Sequence, residues 1–163
     1  WNDLVVCEVP KHIHSDYAMC VHEDGFPLDV NLWEPEFLQF DYIGAPWDAM
    51  CCGPWPKRSG WPRLLTGNGG FFIQSWRMME LCRRLGPMEK PSIYRVPSDV
   101  FVCRTKRKWF EERGAVFAPA EVAARFSTEQ THKGIPSFGF HGRKDSPEKY
   151  ARGWEMIDHL VCA

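Results

Sequence analysis

The sequence has no long apolar run: nothing in it approaches the roughly 18–20 residues that span a bilayer. Its first residues, Trp1-Asn2-Asp3, lack the basic start of a signal peptide. A soluble, cytoplasmic protein with no membrane span is the expectation. An excess of one charge is missing as well. With 20 Lys and Arg against 21 Asp and Glu, there is no general pull toward nucleic acid or an anionic membrane. No nucleic-acid partner is expected. The seven cysteines, at 7, 20, 51, 52, 82, 103 and 162, contain no C-x-x-C pair and no paired zinc spacing. Their odd number and wide spread argue against a disulfide scaffold and for buried, reduced thiols. Cys51-Cys52 is the one place where redox chemistry would be sought.

What is present is a chain of 163 residues, 44% hydrophobic, enough to bury one sizeable core. A single domain over residues 1–163 is expected. Position 1 is Trp rather than Met, which raises the expectation of a processed chain or of one missing its upstream part. Residues 2–9 suit a short helix ended by Pro10, because proline has no N–H for a helix interior. Tyr17–Val21 reads as a buried strand running into the polar turn His22-Glu23-Asp24-Gly25. Residues 33–40 suit one or two helical turns around Pro35, and residues 41–47 an extended segment stopped by Pro46. The Gly, Pro and Trp content of residues 48–66 predicts a long irregular loop of functional interest.

Phe71-Phe72-Ile73 reads as a strand, and Met78, Leu81, Cys82 and Leu85 at i, i+3, i+4 and i+7 predict a helix ending near Gly86-Pro87. Ser98 is an N-cap candidate for a helix over residues 99–113 closed by Gly114. Val116-Phe117 starts a short strand, Pro119 opens a helix over residues 121–125, and residues 137–141 form a last strand. Ser146-Pro147-Glu148 then starts a helix with Tyr150, Trp154, Ile157 and Val161 on one face. Alternating strands and helices imply an α/β fold with helices over a mixed sheet.

Five features carry chemistry. The glycines of Gly67-Asn68-Gly69-Gly70 permit positive φ and close backbone approach, so the segment suits either a sugar or phosphate ligand or a tight turn. Asp24, with His22 and Glu23 beside it, is placed as a metal ligand or as an ordinary Asx turn. Asp99 is a general base or a helix first-turn acid. His141, within Phe138-Gly139-Phe140-His141-Gly142, is a metal ligand, a proton carrier or a structural histidine. Trp33, Trp47, Trp55 and Trp61 stack on sugars or pack under the loop, with Trp47 the stacking candidate. The basic run Arg104, Lys106, Arg107, Lys108 reads as a solvated helix face.

Asp41-Tyr42-Ile43-Gly44-Ala45-Pro46-Trp47, then Gly67-Asn68-Gly69-Gly70-Phe71, Ser98-Asp99-Val100-Phe101 and the Phe138–Gly142 segment follow one another in an order that resembles a largely uncharacterised glycosyltransferase-like family, catalogued as a domain of unknown function. The resemblance runs from about Trp1 to His141. That family is similar to nucleotide-sugar transferases of the GT-A fold. The resemblance implies a GT-A-like mixed sheet flanked by helices, here without the N-terminal strands that grip the nucleotide. It implies Asp24 and His141 as ligands of Mn²⁺ or Mg²⁺, Asp99 as the catalytic base, and Trp47 with Gly67, Asn68, Gly69 and Gly70 around the sugar. The partners it implies are a nucleotide-sugar donor and a glycan or other hydroxyl acceptor. Two departures stand out: the usual two-acid metal motif is reduced to Asp24 preceded by Glu23, and His22 stands where relatives more often carry an amide. A non-catalytic carbohydrate-binding or assembly module is the alternative, keeping Trp47 and the glycines.

Overall fold

A computed structural model describes residues 6, 8–48, 64–85, 97–129, 134–142, 147–149, 151–153 and 155. The fold is α/β, with its strands in three small sheets rather than one. In the first, β6 (Phe71–Ser75) lies between β1 (Tyr17–Val21) and β3 (Tyr42–Gly44), antiparallel to both. In the second, β8 (Gly139–His141) lies between β2 (Gly25–Pro27), antiparallel, and β7 (Ser127–Thr128), parallel. The third pairs β4 (Pro46–Asp48) with β5 (Leu64–Thr66).

β6 is buried at every position, because a core covers each of its faces. Its alternate side chains feed two cores. Phe72 joins Tyr42, Met78 and Phe101 on one face, and Phe71 and Ile73 join Phe37, Ile43 and Phe126 on the other. β1 is not the buried strand its apolar run implies. It ends the strand order of its sheet, and Met19 and Val21 are 43% and 45% exposed.

Helix α2 (Trp76–Arg83) follows β6 directly, because the Ser75 side chain accepts from the Met78 N–H and caps it. Its periodic Met78, Leu81 and Cys82, with Leu85 beyond it, are buried as the spacing requires. Asp41 fastens this corner. It is bound by the Ser75 hydroxyl and accepts from the Val116 N–H at 2.8 Å, with Arg77 3.7 Å away.

The helix expected over residues 99–113 is broken into α3 (Ser98–Val100), a π turn over Phe101–Thr105 and α4 (Arg107–Glu111). Its cap position is Pro97 rather than Ser98, and Gly114 closes it at φ 84°. The break turns Arg104 inward to 4% exposure and lays Arg107 over the Phe117 ring, so only part of the basic run is a solvated face. Helix α5 (Ala120–Phe126) starts behind Pro119 as the proline implies. Two other prolines act opposite to expectation. Pro10 opens α1 (Val9–His12), where its missing N–H is harmless, and Pro46 begins β4 rather than ending the extended run.

Residues 33–40 do hold a short helix, the 3₁₀ turn Pro35–Gln39, and Trp33 packs edge-on to Phe37 and Phe138. Residues 147–149 and 151–153 are helical; Tyr150, Trp154, Ile157 and Val161 lie outside the described residues, as do Trp55, Trp61, Cys51 and Cys52. Among the described cysteines, Cys20, Cys82 and Cys103 are free thiols, and burial raises the pKa of Cys20 and Cys103. Among the described residues, no helix is long and apolar enough to cross a membrane.

Candidate functional site

The site lies where the first two sheets meet. β1 ends at Val21, and the chain turns through His22-Glu23-Asp24, closed by a Gly25 N–H to His22 C=O hydrogen bond of 3.1 Å. The His22 N–H donates to the Gly70 carbonyl at 2.8 Å, which ties this turn to the start of β6. From the other side, the Gly142 N–H donates to the Asp24 carbonyl at 3.0 Å and holds the end of β8 against it. The turn is therefore anchored at both flanks by backbone bonds.

His141 is the centre of the arrangement. Its Nε2 lies 3.1 Å from Asp24 Oδ1 and its Nδ1 lies 3.1 Å from Glu129 Oε1. Strand register explains both neighbours. Across β2, His141 faces Gly25, which has no side chain to crowd the ring. Across β7, Ser127 and Thr128 pair with Gly139 and Phe140, so Glu129 comes opposite His141 and shares its face of the sheet. The His22 ring approaches His141 edge-on, with centroids 5.4 Å apart. Burial alone would lower the pKa of His141. The Glu129 hydrogen bond and charge, with the charges of Asp24 and Asp99, outweigh it and raise the pKa. His22 shifts the other way, lowered by burial and by the nearby His141 charge.

Ligand atoms of His22, Asp24 and His141 all lie within 4.8 Å of one another. Donors on one ion at about 2.1 Å stand roughly 3 to 4 Å apart, so a small closing movement would bring these residues onto a single dication. The 3.1 Å from Nε2 to Oδ1 suits two adjacent ligands as well as it suits a hydrogen bond. Val21, His22, Glu23 and Asp24 line an open cleft of about 400 Å³.

The glycine segment does something other than its composition implies. Gly67, Asn68, Gly69 and Gly70 are all buried, and all four N–H groups are engaged internally. Gly67 and Asn68 donate to Ala45 C=O at 3.3 and 3.1 Å, Gly69 to Asp99 Oδ2 at 3.2 Å, and Gly70 to Asn68 Oδ1 at 2.8 Å. Positive φ is confined to Gly114 and Gly142 among the described glycines, so none of these three needs it. What they supply is room. A Cβ on Gly67 would lie 2.5 Å from the Trp47 ring, one on Gly69 2.9 Å from Asp99 Cβ, and one on Gly70 2.0 Å from the His141 ring.

Trp47, expected to stack on a sugar, is thus 4% exposed, its ring laid on Gly67 within the core. An indole needs an open face to hold a ligand, and this one is a packing residue. The segment is an inner support on which Trp47, Asp99 and His141 rest.

Asp99 is bound at both oxygens, Oδ2 by the Gly69 N–H and Oδ1 by its neighbour Val100 N–H at 2.8 Å. Burial raises its pKa against these two donors, with the Glu129 charge adding to the rise. With Tyr42, Gln74 and Ser98 it lines a partly open void of about 10 Å³, room for about one water. The structure thus brings Asp24, His141 and Asp99 to one stretch, Gly69-Gly70, with Asp24 on the open cleft and Asp99 toward the interior. Glu129 was not singled out from sequence. Its only signal is its place one residue beyond a strand that pairs with the strand of His141.

The molecule is an α/β domain carrying a histidine and carboxylate cluster where two of its sheets meet. The chain belongs to the family described as Protein of unknown function (DUF5672), whose model matches residues 10–141. That match takes in every member of the cluster. No curated protein and no solved structure matches the chain.

Proposed function

We propose that this chain is a glycosyltransferase-like domain of GT-A type that moves a sugar from a nucleotide-sugar donor to an acceptor hydroxyl. The observation that carries the reading is the meeting of Asp24, His141 and Asp99 at Gly69-Gly70, residues far apart in sequence that the motif resemblance assigns to one site. Asp24 and His141 would hold a divalent cation, Mn²⁺ or Mg²⁺. When bound, that ion neutralises charge on the leaving diphosphate. Asp99 accepts the proton of the acceptor hydroxyl as the oxygen bonds to the anomeric carbon and the donor's diphosphate departs. Its raised pKa makes it a stronger base than a solvated carboxylate, and each oxygen keeps a lone pair beyond its backbone bond.

The burial of Trp47 and of the glycine segment removes the sugar contacts that the transferase reading and the non-catalytic carbohydrate module shared, so the transferase reading rests on Asp24, His141 and Asp99. The test is release of nucleoside diphosphate from a panel of uridine, guanosine and cytidine nucleotide-sugars in the presence of Mn²⁺. Release is expected with wild type, and its rate is expected to fall at least about 100-fold in Asp24→Asn and Asp99→Asn. No release from any donor, or full release by both variants, overturns the reading.

A further inference from the structure

We propose that His22, Asp24 and His141 together form the protein ligand set of a transition-metal dication, and that Glu129 is the positioning residue that aims His141 at it. This deepens the transferase reading of the same site by naming a third ligand, an orienting residue and the kind of metal.

The geometry supports each part. The three donor atoms come from one turn and one strand end, lie within 4.8 Å of each other, and are only partly buried, so a small closing movement brings them onto one ion. Glu129 meets the opposite ring nitrogen of His141, 3.1 Å away. The two ring nitrogens of an imidazole point apart, so Glu129 cannot share an ion with Nε2. It can fix the ring's orientation and its tautomer, leaving the Nε2 lone pair for the metal, as carboxylates behind metal-bound histidines do. Gly70 lets the ring lie flat against the backbone. Three protein ligands beside an open cleft leave coordination positions for outside oxygen atoms, the pattern of a working rather than a structural centre.

The donor set also selects the metal. Mg²⁺ and Ca²⁺ take oxygen ligands, whereas two imidazole nitrogens with one carboxylate suit Mn²⁺, Fe²⁺, Co²⁺ and Zn²⁺. Within that series Zn²⁺ binds more tightly than Mn²⁺. His22 is the residue that moves this site from hard-oxygen chemistry toward the nitrogen-binding metals.

The test is calorimetric titration of the chelator-stripped chain with Mn²⁺, Zn²⁺ and Mg²⁺. One equivalent of Mn²⁺ is expected, Zn²⁺ tighter, and Mg²⁺ weaker than Mn²⁺ by about 100-fold or more. His22→Gln, close to the histidine in size, should narrow the Mn²⁺ preference over Mg²⁺ by at least about 10-fold. Glu129→Gln should weaken Mn²⁺ by about 10- to 100-fold while the stoichiometry is kept. It should also shift the ligand-field spectrum of the Co²⁺ form, which loss of packing alone would not do. Circular dichroism of each variant establishes folding, and Glu129→Asp should recover part of the affinity. Absence of Mn²⁺ binding, equal affinity for Mg²⁺, or a His22→Gln or Glu129→Gln variant that binds as wild type overturns the proposal. Selective Mn²⁺ binding with no cleavage of any nucleotide-sugar would sink the transferase reading and leave the centre standing. Cleavage indifferent to His22 and Glu129 would do the reverse.

Discussion

Replacing Gly70 by alanine tests the whole arrangement with one methyl group. The added Cβ would come 2.0 Å from His141 Cδ2 and Nε2 and 2.3 Å from Cε1, against the roughly 3.5 Å of an ordinary carbon contact. The ring must withdraw by about 1.5 Å, since the alternative is to move a central strand. Both of its bonds, to Asp24 and Glu129, are 3.1 Å long at the start, so a retreat of that size breaks at least one of them. A charge-assisted hydrogen bond contributes about 1.5–3 kcal/mol, and alanine returns about 0.5–1 kcal/mol by restricting the unfolded chain. The net expectation is a loss of about 0.5–2.5 kcal/mol if one bond breaks and about 2–5.5 kcal/mol if both do, set against the 5–15 kcal/mol typical of a domain. Urea unfolding of the metal-free protein measures it. Gly67→Ala is the control. Its Cβ strikes the Trp47 ring at 2.5 Å, so it should destabilise through packing yet leave Mn²⁺ affinity within about threefold, while Gly70→Ala lowers that affinity at least about 100-fold. A Gly70→Ala protein within about 0.5 kcal/mol of wild type, with His141 imidazole resonances unmoved, would refute the reasoning.

Other outcomes follow from the same structure. Asp41→Ala removes the partner of the Ser75 hydroxyl and the Val116 N–H and should cost about 2–4 kcal/mol by thermal or urea unfolding. Gly114→Ala meets only an Arg77 guanidinium 3.9 Å away, so its cost is the positive φ of 84° alone, about 1 kcal/mol. The folded-state pKa of His141 is raised, so the stability it contributes is fully present below about pH 6.5 and is lost as pH rises through the higher folded value. His22 is lowered and has the opposite sign, its contribution present above about pH 6.5 and lost as pH falls. Unfolding of metal-free His141→Asn should therefore lose the decline above about pH 6.5 and keep a smaller acid one, since the His141 charge contributes to the lowering of His22.

Local periodicity made much of the fold legible. β1, β6, α2 and α5 lie where short apolar runs, the i, i+3, i+4, i+7 spacing and Pro119 put them. The division into three sheets was hidden, because it depends on which strands meet, and β2 meets β8 across more than a hundred residues. The π turn at Phe101–Thr105 was equally hidden, since its residues also suit a continuous helix. Asp24, Asp99 and His141, singled out from residue type and order, are gathered around Gly69-Gly70, and the glycines themselves are buried. A glycine chosen for positive φ and one chosen for space have the same letter, and only the ring packed on Gly70 tells them apart. Trp47 lies buried against Gly67, and its letter alone could not say so: an aromatic beside a glycine marks a packed pair as readily as an open platform. Glu129 had no periodic or motif signal, because it gains meaning only through the parallel pairing of β7 with β8.

That pairing governs when the cluster can exist at all. Residues 22–24, 129 and 141 meet only after β8 has threaded between β2 and β7, a non-local closure of the kind that folds slowly. A nascent chain that has not yet emitted β8 owns the turn but not the imidazole that completes it. An ion captured at this place therefore stabilises the finished topology and not its precursors, so metal supply would act on the yield of folded protein by mass action as well as on chemistry.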